Sequence, residues 1–227
     1  MLKQLLSIWR EDQDPLNEMI QQFEEMLDKG QLMFRSVTDA LLLGGDMPAI
    51  REETYRQDGE LNDLEQTIRR QVVVHLSLGH MADLTPSLIL MSVVKDAERL
   101  GDYAKNIFQA AEIIAPLNGG ALLEPLQEVR NAIISYFSEV KECFVTSDET
   151  KARELLRKFG RHGREVDQWV VELLKEPKQE NAVAFALLLR FFKRIISHLG
   201  NIATSVIMPV DKLDYFDEDH REKIDDL

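Results

Sequence analysis

Glu98 and Asp102 stand four residues apart in VKDAERLGDYAKNIF, residues 94–108. On a helix that spacing places both carboxylates on one side. Leu90, Val93, Ala97, Leu100, Ala104, Ile107, Ala111 and Ile114 recur in steps of three and four and draw an apolar stripe along the same segment. The two acids therefore lie at the margin of a packing face, where like charges repel. They are tolerable when solvated, paired with cations or bound to a metal. Asp58 and Asn62, also four apart, flank a second stripe of Leu61, Leu64 and Ile68. If the flanks face each other, four oxygen-bearing side chains converge. Such a donor set suits hard or borderline cations, among them iron, zinc, manganese and magnesium. No Glu-x-x-His occurs on these segments, which argues against a buried di-iron centre of the ferritin type. Lys95 and Arg99 offer the plainer alternative, helix-face ion pairs worth about 0.3–0.5 kcal/mol each.

These side chains need long helices to hold them. After an N-terminal arm, a first helix is predicted from near Pro15, with Leu16, Ile20, Phe23, Leu27, Phe34, Val37 and Leu41 on its inner face. Gly44-Gly45-Asp46 ends it. A second helix carries Leu61, Leu64, Ile68, Val72 and Leu78 and closes at Gly79-His80. Asp83 or Thr85 caps a third, with Pro86 in its first turn, running to about Ile114. The pattern then repeats. A fourth helix carries Leu126 to Phe144, a fifth opens at Ser147-Asp148, and a sixth runs from about Asn181 to Met208. Arg99-Leu100 aligns with Arg194-Ile195, and Asn106-Ile107 with Asn201-Ile202, at the same place in each half. The fold class is therefore all-α, six long helices in two tandem antiparallel three-helix bundles. The expected divisions are 1–116, 117–210 and an acidic tail, 211–227, with an anchor at Leu213, Tyr215 and Phe216.

Composition narrows the function. The 227 residues carry a net charge of -13, which repels phosphate backbones and anionic lipid, so neither nucleic-acid binding nor direct membrane insertion is expected. The single cysteine, Cys143, allows no internal disulfide and no thiolate metal cage. MLKQLLSIWREDQDP is too short and too soon acidic for a signal peptide. The chain reads as soluble and cytoplasmic. It holds no phosphate-cradling loop, no nucleophile elbow and no nucleophile with an adjacent base, so no enzyme is expected.

ERLGDYAKNI resembles the third-helix signature of PhoU-type phosphate-uptake regulators, roughly D-L-E-R-I-G-D-Y/H-A-x-N-I. Asp96, Glu98, Arg99, Gly101, Asp102, Tyr103, Ala104, Asn106 and Ile107 match it. Residues 58–65, DGELNDLE, resemble the second-helix pattern D-x-x-I-D-x-L-E, with Asn62 where an aspartate is usual. The resemblance implies two three-helix bundles side by side and negative regulation of phosphate uptake and signalling. It implies contact with a phosphate ABC transporter ATPase or a sensor histidine kinase. It also implies a metal site, iron or zinc with other divalent cations open, at Glu98, Asp102, Asp58 and Asn62. A metal-binding bundle or a helical adaptor without metal remain the alternatives. The exposed faces of long helices make a homodimer the expected assembly.

In the second half the motif is eroded. Lys193 and Ser197 stand at the positions of Glu98 and Asp102, and Gly163 and Asp167 at those of Asp58 and Asn62. An ammonium group opposes a cation directly, so a metal is expected in the first half only. His198 and His75 read as packed or hydrogen-bonded residues, Phe191 and Phe192 as core and interface, and Cys143 as buried and inert. The basic run Arg153, Arg157, Lys158, Arg161, Arg164 reads as a solvated face, and Gly101 as a point of close helix packing.

Overall fold

The computed structural model describes residues 15–213. Among them lie six helices and no strand: α1 (Pro15–Leu43), α2 (Met47–Ser77), α3 (Leu84–Ile114), α4 (Leu123–Thr146), α5 (Glu149–Lys175) and α6 (Ala182–Thr204). Single 3-10 turns cover Met81–Asp83 and Val210–Lys212. The all-α expectation of six long helices agrees with this. Tyr215, Phe216 and the N-terminal arm fall outside the described residues; Leu213 is buried.

Local chemistry sets the boundaries. Asp46 caps α2 by accepting from the Ala49 N–H at 3.3 Å, with Pro48 in the first turn. Asp148 caps α5 through the Lys151 N–H at 3.0 Å. Two expectations shift. Leu78, predicted on the inner stripe of α2, is exposed, because α2 ends at Ser77 and the chain turns there. α6 stops at Thr204 rather than Met208. The Thr204 hydroxyl donates to the Asn201 carbonyl at 2.7 Å and the Ser205 hydroxyl to the Ile202 carbonyl at 2.7 Å, so these side chains compete with the helix ladder at its end.

α1, α2 and α3 pack together, as do α4, α5 and α6, and the halves meet where α3 lies on α6 and α1 on α4. The apolar core runs unbroken through both. Phe34 of α1 packs edge-on against Phe192 of α6, centroids 5.3 Å apart, and lies 6.2 Å from Phe137 of α4. Phe23 and Phe144 lie 4.8 Å apart. Cys143 is buried in this core, and that burial pushes its thiol up to about 12, so it stays protonated and unreactive at neutral pH.

The approach of α2 to α3 depends on Gly101. A Cβ there would stand 2.4 Å from Leu61 Cδ1, closer than atoms can pack. Leu61 is itself fully buried and cannot swing out to solvent. Overpacking of this kind costs about 1–3 kcal/mol, against roughly 1 kcal/mol gained in helix propensity. Gly101→Ala is therefore expected to destabilise the protein by about 1 kcal/mol. In a Leu61→Ala background the same change is expected to become stabilising. Urea denaturation of the four variants reads that reversal of sign.

His162 of α5 faces Tyr136 of α4, its Nδ1 2.9 Å from the phenol oxygen. Burial pulls His162 below its ordinary 6.5; Glu165 opposes this and Arg161 reinforces it. The unfolded chain then takes up the extra proton first, so this contribution to stability is intact above about pH 6.5 and is lost as pH falls below it. His162→Gln is expected to lessen the fall in thermal midpoint on going from about pH 7 to about pH 5, compared with the parent in the same buffers.

Candidate functional site

The seam between α2 and α3 gathers the acidic residues singled out in the sequence. α2 and α3 run antiparallel, so residues spaced along one meet residues in reverse order on the other. Asp58 of α2 meets Lys105 of α3, whose ammonium donates to both Asp58 oxygens at 2.7 Å and to Asp102 Oδ1 at 3.1 Å. Arg99 donates to Asp102 Oδ2 at 2.8 Å. Burial alone would lower Lys105. Its bonds to Asp58 and Asp102 outweigh that and raise it, so it stays charged in the seam.

Glu98 meets a different partner. Its Oε2 lies 2.7 Å from Lys95 Nζ and 3.8 Å from Arg99 Nε. The same Lys95 lies 3.7 Å from Glu65 Oε1, which Arg69 also approaches at 3.0 Å. Glu65 and Glu98 are 7% and 8% exposed, and these two oxygens accept no well-directed hydrogen bond despite the nearby cations. The ion pairing here is therefore Coulombic and leaves lone pairs unused.

The four predicted side chains thus do not meet at a single point. Asp58 joins Asp102, while Glu98 joins Glu65, seven residues and about 10 Å further along α2. Asn62 is half-buried between the two pairs. Glu65 belongs to the sequence motif but was not singled out as a ligand, and Lys105 was not singled out at all. Their signal was the spacing: Glu65 follows Asp58 by seven residues, on the same face, and Lys105 follows Asp102 by three. Glu65 and Glu98 are nearly buried, while Asp58 and Asp102 stay partly exposed.

A hard divalent cation fits this donor set in kind: every candidate ligand is an oxygen, and two of the oxygens are buried with lone pairs unused. Asp58 and Asp102, or Glu65 and Glu98, would hold it. The seats are taken by ammonium groups, so an ion must displace Lys105 or Lys95. In the second half Lys193 donates to both oxygens of Asp167 at 2.7 and 2.8 Å, an internal cation in the seam itself. The Ser197 hydroxyl turns back to the Lys193 carbonyl at 3.0 Å. That seam offers a divalent ion no comparable donor set.

Where the halves touch, Asp96 of α3 accepts from His198 Nδ1 and Asn201 Nδ2 of α6, each at 2.8 Å. Tyr103 stacks on His198 at 5.6 Å and lies 6.2 Å from Phe191. His198 is thus a hydrogen-bonded residue of the interface. The basic residues of α5 are half-buried to exposed, with Lys158 bonded to Glu139 at 2.9 Å. At the far end of α3, Ile113 and Val183 are 84% and 83% exposed beside Ile114, Ala182 and Leu187, around an open groove of about 420 Å³. No described helix is long and apolar enough to cross a membrane.

Residues 23–111 match the PhoU domain, a span that takes in most of α1 and every seam residue of the first bundle. Two proteins of Xylella fastidiosa, from strains Temecula1 / ATCC 700964 and 9a5c, are each 27% identical over 203 residues. That covers 86% of this chain and 82% and 84% of theirs. Both are named phosphate-specific transport system accessory protein PhoU homolog. The fold matches crystal structures of PhoU from Pseudomonas aeruginosa and of the phosphate transport system regulatory protein PhoU from Streptococcus pneumoniae. The first has a TM-score of 0.74 at 19% identity, over 89% of this chain and 96% of that one. The second has a TM-score of 0.67 at 21% identity, over 89% and 95%.

Replacing Lys105 leaves Asp58 and Asp102 facing each other without their shared cation. Lys105→Met is expected to cost about 2 kcal/mol in metal-free buffer. Added manganese is expected to recover part of that loss, and to recover none in Lys105→Met/Asp58→Asn/Asp102→Asn, as read by urea denaturation.

Proposed function

We propose that this chain, which is PhoU-like, serves as an accessory protein of phosphate transport and phosphate-responsive signalling, and that it acts by binding rather than by catalysis. The observation that carries the reading is the alignment of 86% of the chain with relatives named as accessory proteins of phosphate-specific transport systems. The intact α3 signature and the seam it builds with α2 support it. The partner is a phosphate transporter ATPase or a sensor histidine kinase on the cytoplasmic side, and the effect is to restrain uptake when phosphate is plentiful. The chain works as a homodimer.

The exposed apolar end of α3 and α6 supports a protein-binding role. Ile113 and Val183 stand clear of the core, where large side chains of this kind gain from being covered. A second reading adds a divalent ion, iron or zinc class, at the first-half seam, held either by Asp58 and Asp102 beside Asn62 or by Glu98 together with Glu65. The buried, underused oxygens of Glu65 and Glu98 favour it. Bound there, the ion would supply charge neutralisation and tie α2 to α3, with no reaction of its own.

Tagged full-length protein is expected to retain transporter ATPase or kinase from its host. Ile113→Asp/Val183→Asp, with helicity unchanged, is expected to cut that yield more than about tenfold. Deleting the chain is expected to raise a phosphate-starvation reporter in phosphate-rich medium. Absence of both partners, at high and at low phosphate, would falsify the binding role.

A further inference from the structure

The turn between α2 and α3 carries a second group of metal-ligand side chains, remote from the acidic seam. His75 lies in the last turn of α2, and His80 and Asp83 follow after five and three further residues. Gly79, at φ +95°, takes a left-handed conformation that favours glycine and turns the chain back on itself. The His80 ring then stacks on the His75 ring, centroids 4.3 Å apart and planes within 10°. Asp83 Oδ2 lies 2.7 Å from His75 Nε2. One donor atom from each of the three residues lies within 4.8 Å of the others.

Two further observations set this turn apart from an ordinary helix connection. Asp83 occupies the N-cap position of α3, yet its side chain makes no capping hydrogen bond. A capping aspartate is worth about 1 kcal/mol, and here that is forgone for a carboxylate aimed at an imidazole. His75 and Asp83 are also buried, at 4% and 9% exposure, while His80 is exposed. Two ligands are thus held in place and a third can close over them. The C-terminal end of α2, where His75 sits, adds the negative end of a helix dipole.

We propose that His75, His80 and Asp83 form an open three-ligand site for a borderline divalent cation of the zinc class, with water in the fourth position. Two imidazole nitrogens and one carboxylate oxygen suit zinc better than magnesium or calcium, which take oxygen ligands. Ligands at about 2.0–2.2 Å from a tetrahedral ion lie roughly 3.3 Å from one another. The His75–Asp83 pair needs to open slightly to that spacing, and His80 needs only to rotate inward. Asp83 is twelve residues from Lys95, about 18 Å along α3, so this site and the seam are separate. A bound ion would tie the end of α2 to the start of α3.

Without an ion, the His75–Asp83 pair alone would staple the turn and His80 would be dispensable. His80 therefore discriminates. Full-length protein stripped with chelator is titrated calorimetrically with zinc, and separately with cobalt while following its visible ligand-field absorption. Expected are one zinc equivalent at this turn and a cobalt spectrum of low coordination number. His80→Ala, an exposed change that leaves the fold intact, should weaken zinc by more than about tenfold and abolish the cobalt bands. Asp83→Asn should weaken zinc likewise. The same titrations in a Glu98→Gln/Asp102→Asn background remove the seam ligands, so the zinc and cobalt counted there belong to this turn alone. Zinc affinity that is the same in His80→Ala as in the parent, or uptake in the parent well below one equivalent, overturns the proposal.

Discussion

A helix packed on three sides cannot carry carboxylates unless each is compensated, and α3 carries three along its packed length, Asp96, Glu98 and Asp102, besides Glu112 near its end, which pairs with Arg51. Burying an uncompensated charge costs several kcal/mol. α3 lies against α1, α2 and α6, and its acids fall at two different junctions. Asp96 points to α6 and is held by His198 and Asn201. Glu98 and Asp102 point to α2, where Lys95, Arg99 and Lys105 balance them together with Glu65 and Asp58. These pairings are directional where the apolar core is not. They fix which face of α3 meets which neighbour, and in what register. Gly101 permits the arrangement, since only a bare backbone lets Leu61 and the α2 seam come this near.

The two halves show what happens when that constraint is relaxed. Residues of α3 and α6 correspond at a constant offset of 95, as the alignment of Arg99 with Arg194 and Asn106 with Asn201 requires. At the interface, Asp96 against His198 on one side corresponds to Phe191 against Tyr103 on the other. A polar contact in one copy is an aromatic one in its twin. In the seams, four acids with lysines and arginines in the first half stand where the second half pairs Lys193 with Asp167. There the chain sets an ammonium of its own, Lys193, against Asp167, while the first half retains the fuller set of carboxylates.

The proposed binding role draws on features that the acidic seam does not supply. The exposed apolar residues at the ends of α3 and α6 lie apart from it. α3 is the element that reaches all of these places, from the His75–Asp83 turn, past the seam, to Ile113.

Helix number, order and most boundaries were legible in the sequence, because steps of three and four among apolar residues, aspartate caps and glycine turns act locally. So was the acidic pair Glu98 and Asp102, since a spacing of four fixes their side of the helix. Leu78 and the end of α6 were misjudged where the apolar pattern outlasted the helix: Leu78 lies beyond a turn, and hydroxyls at Thr204 and Ser205 compete with the ladder. Which acids meet was a tertiary matter. Antiparallel register, set by Leu61 against Gly101, brings Asp58 to Lys105 and Glu65 to Lys95, and no local spacing encodes a pairing across two helices. The same holds for His75. Its place on an inner stripe could be read from periodicity, but its contact with Asp83 and His80 arises only because the chain folds back at Gly79.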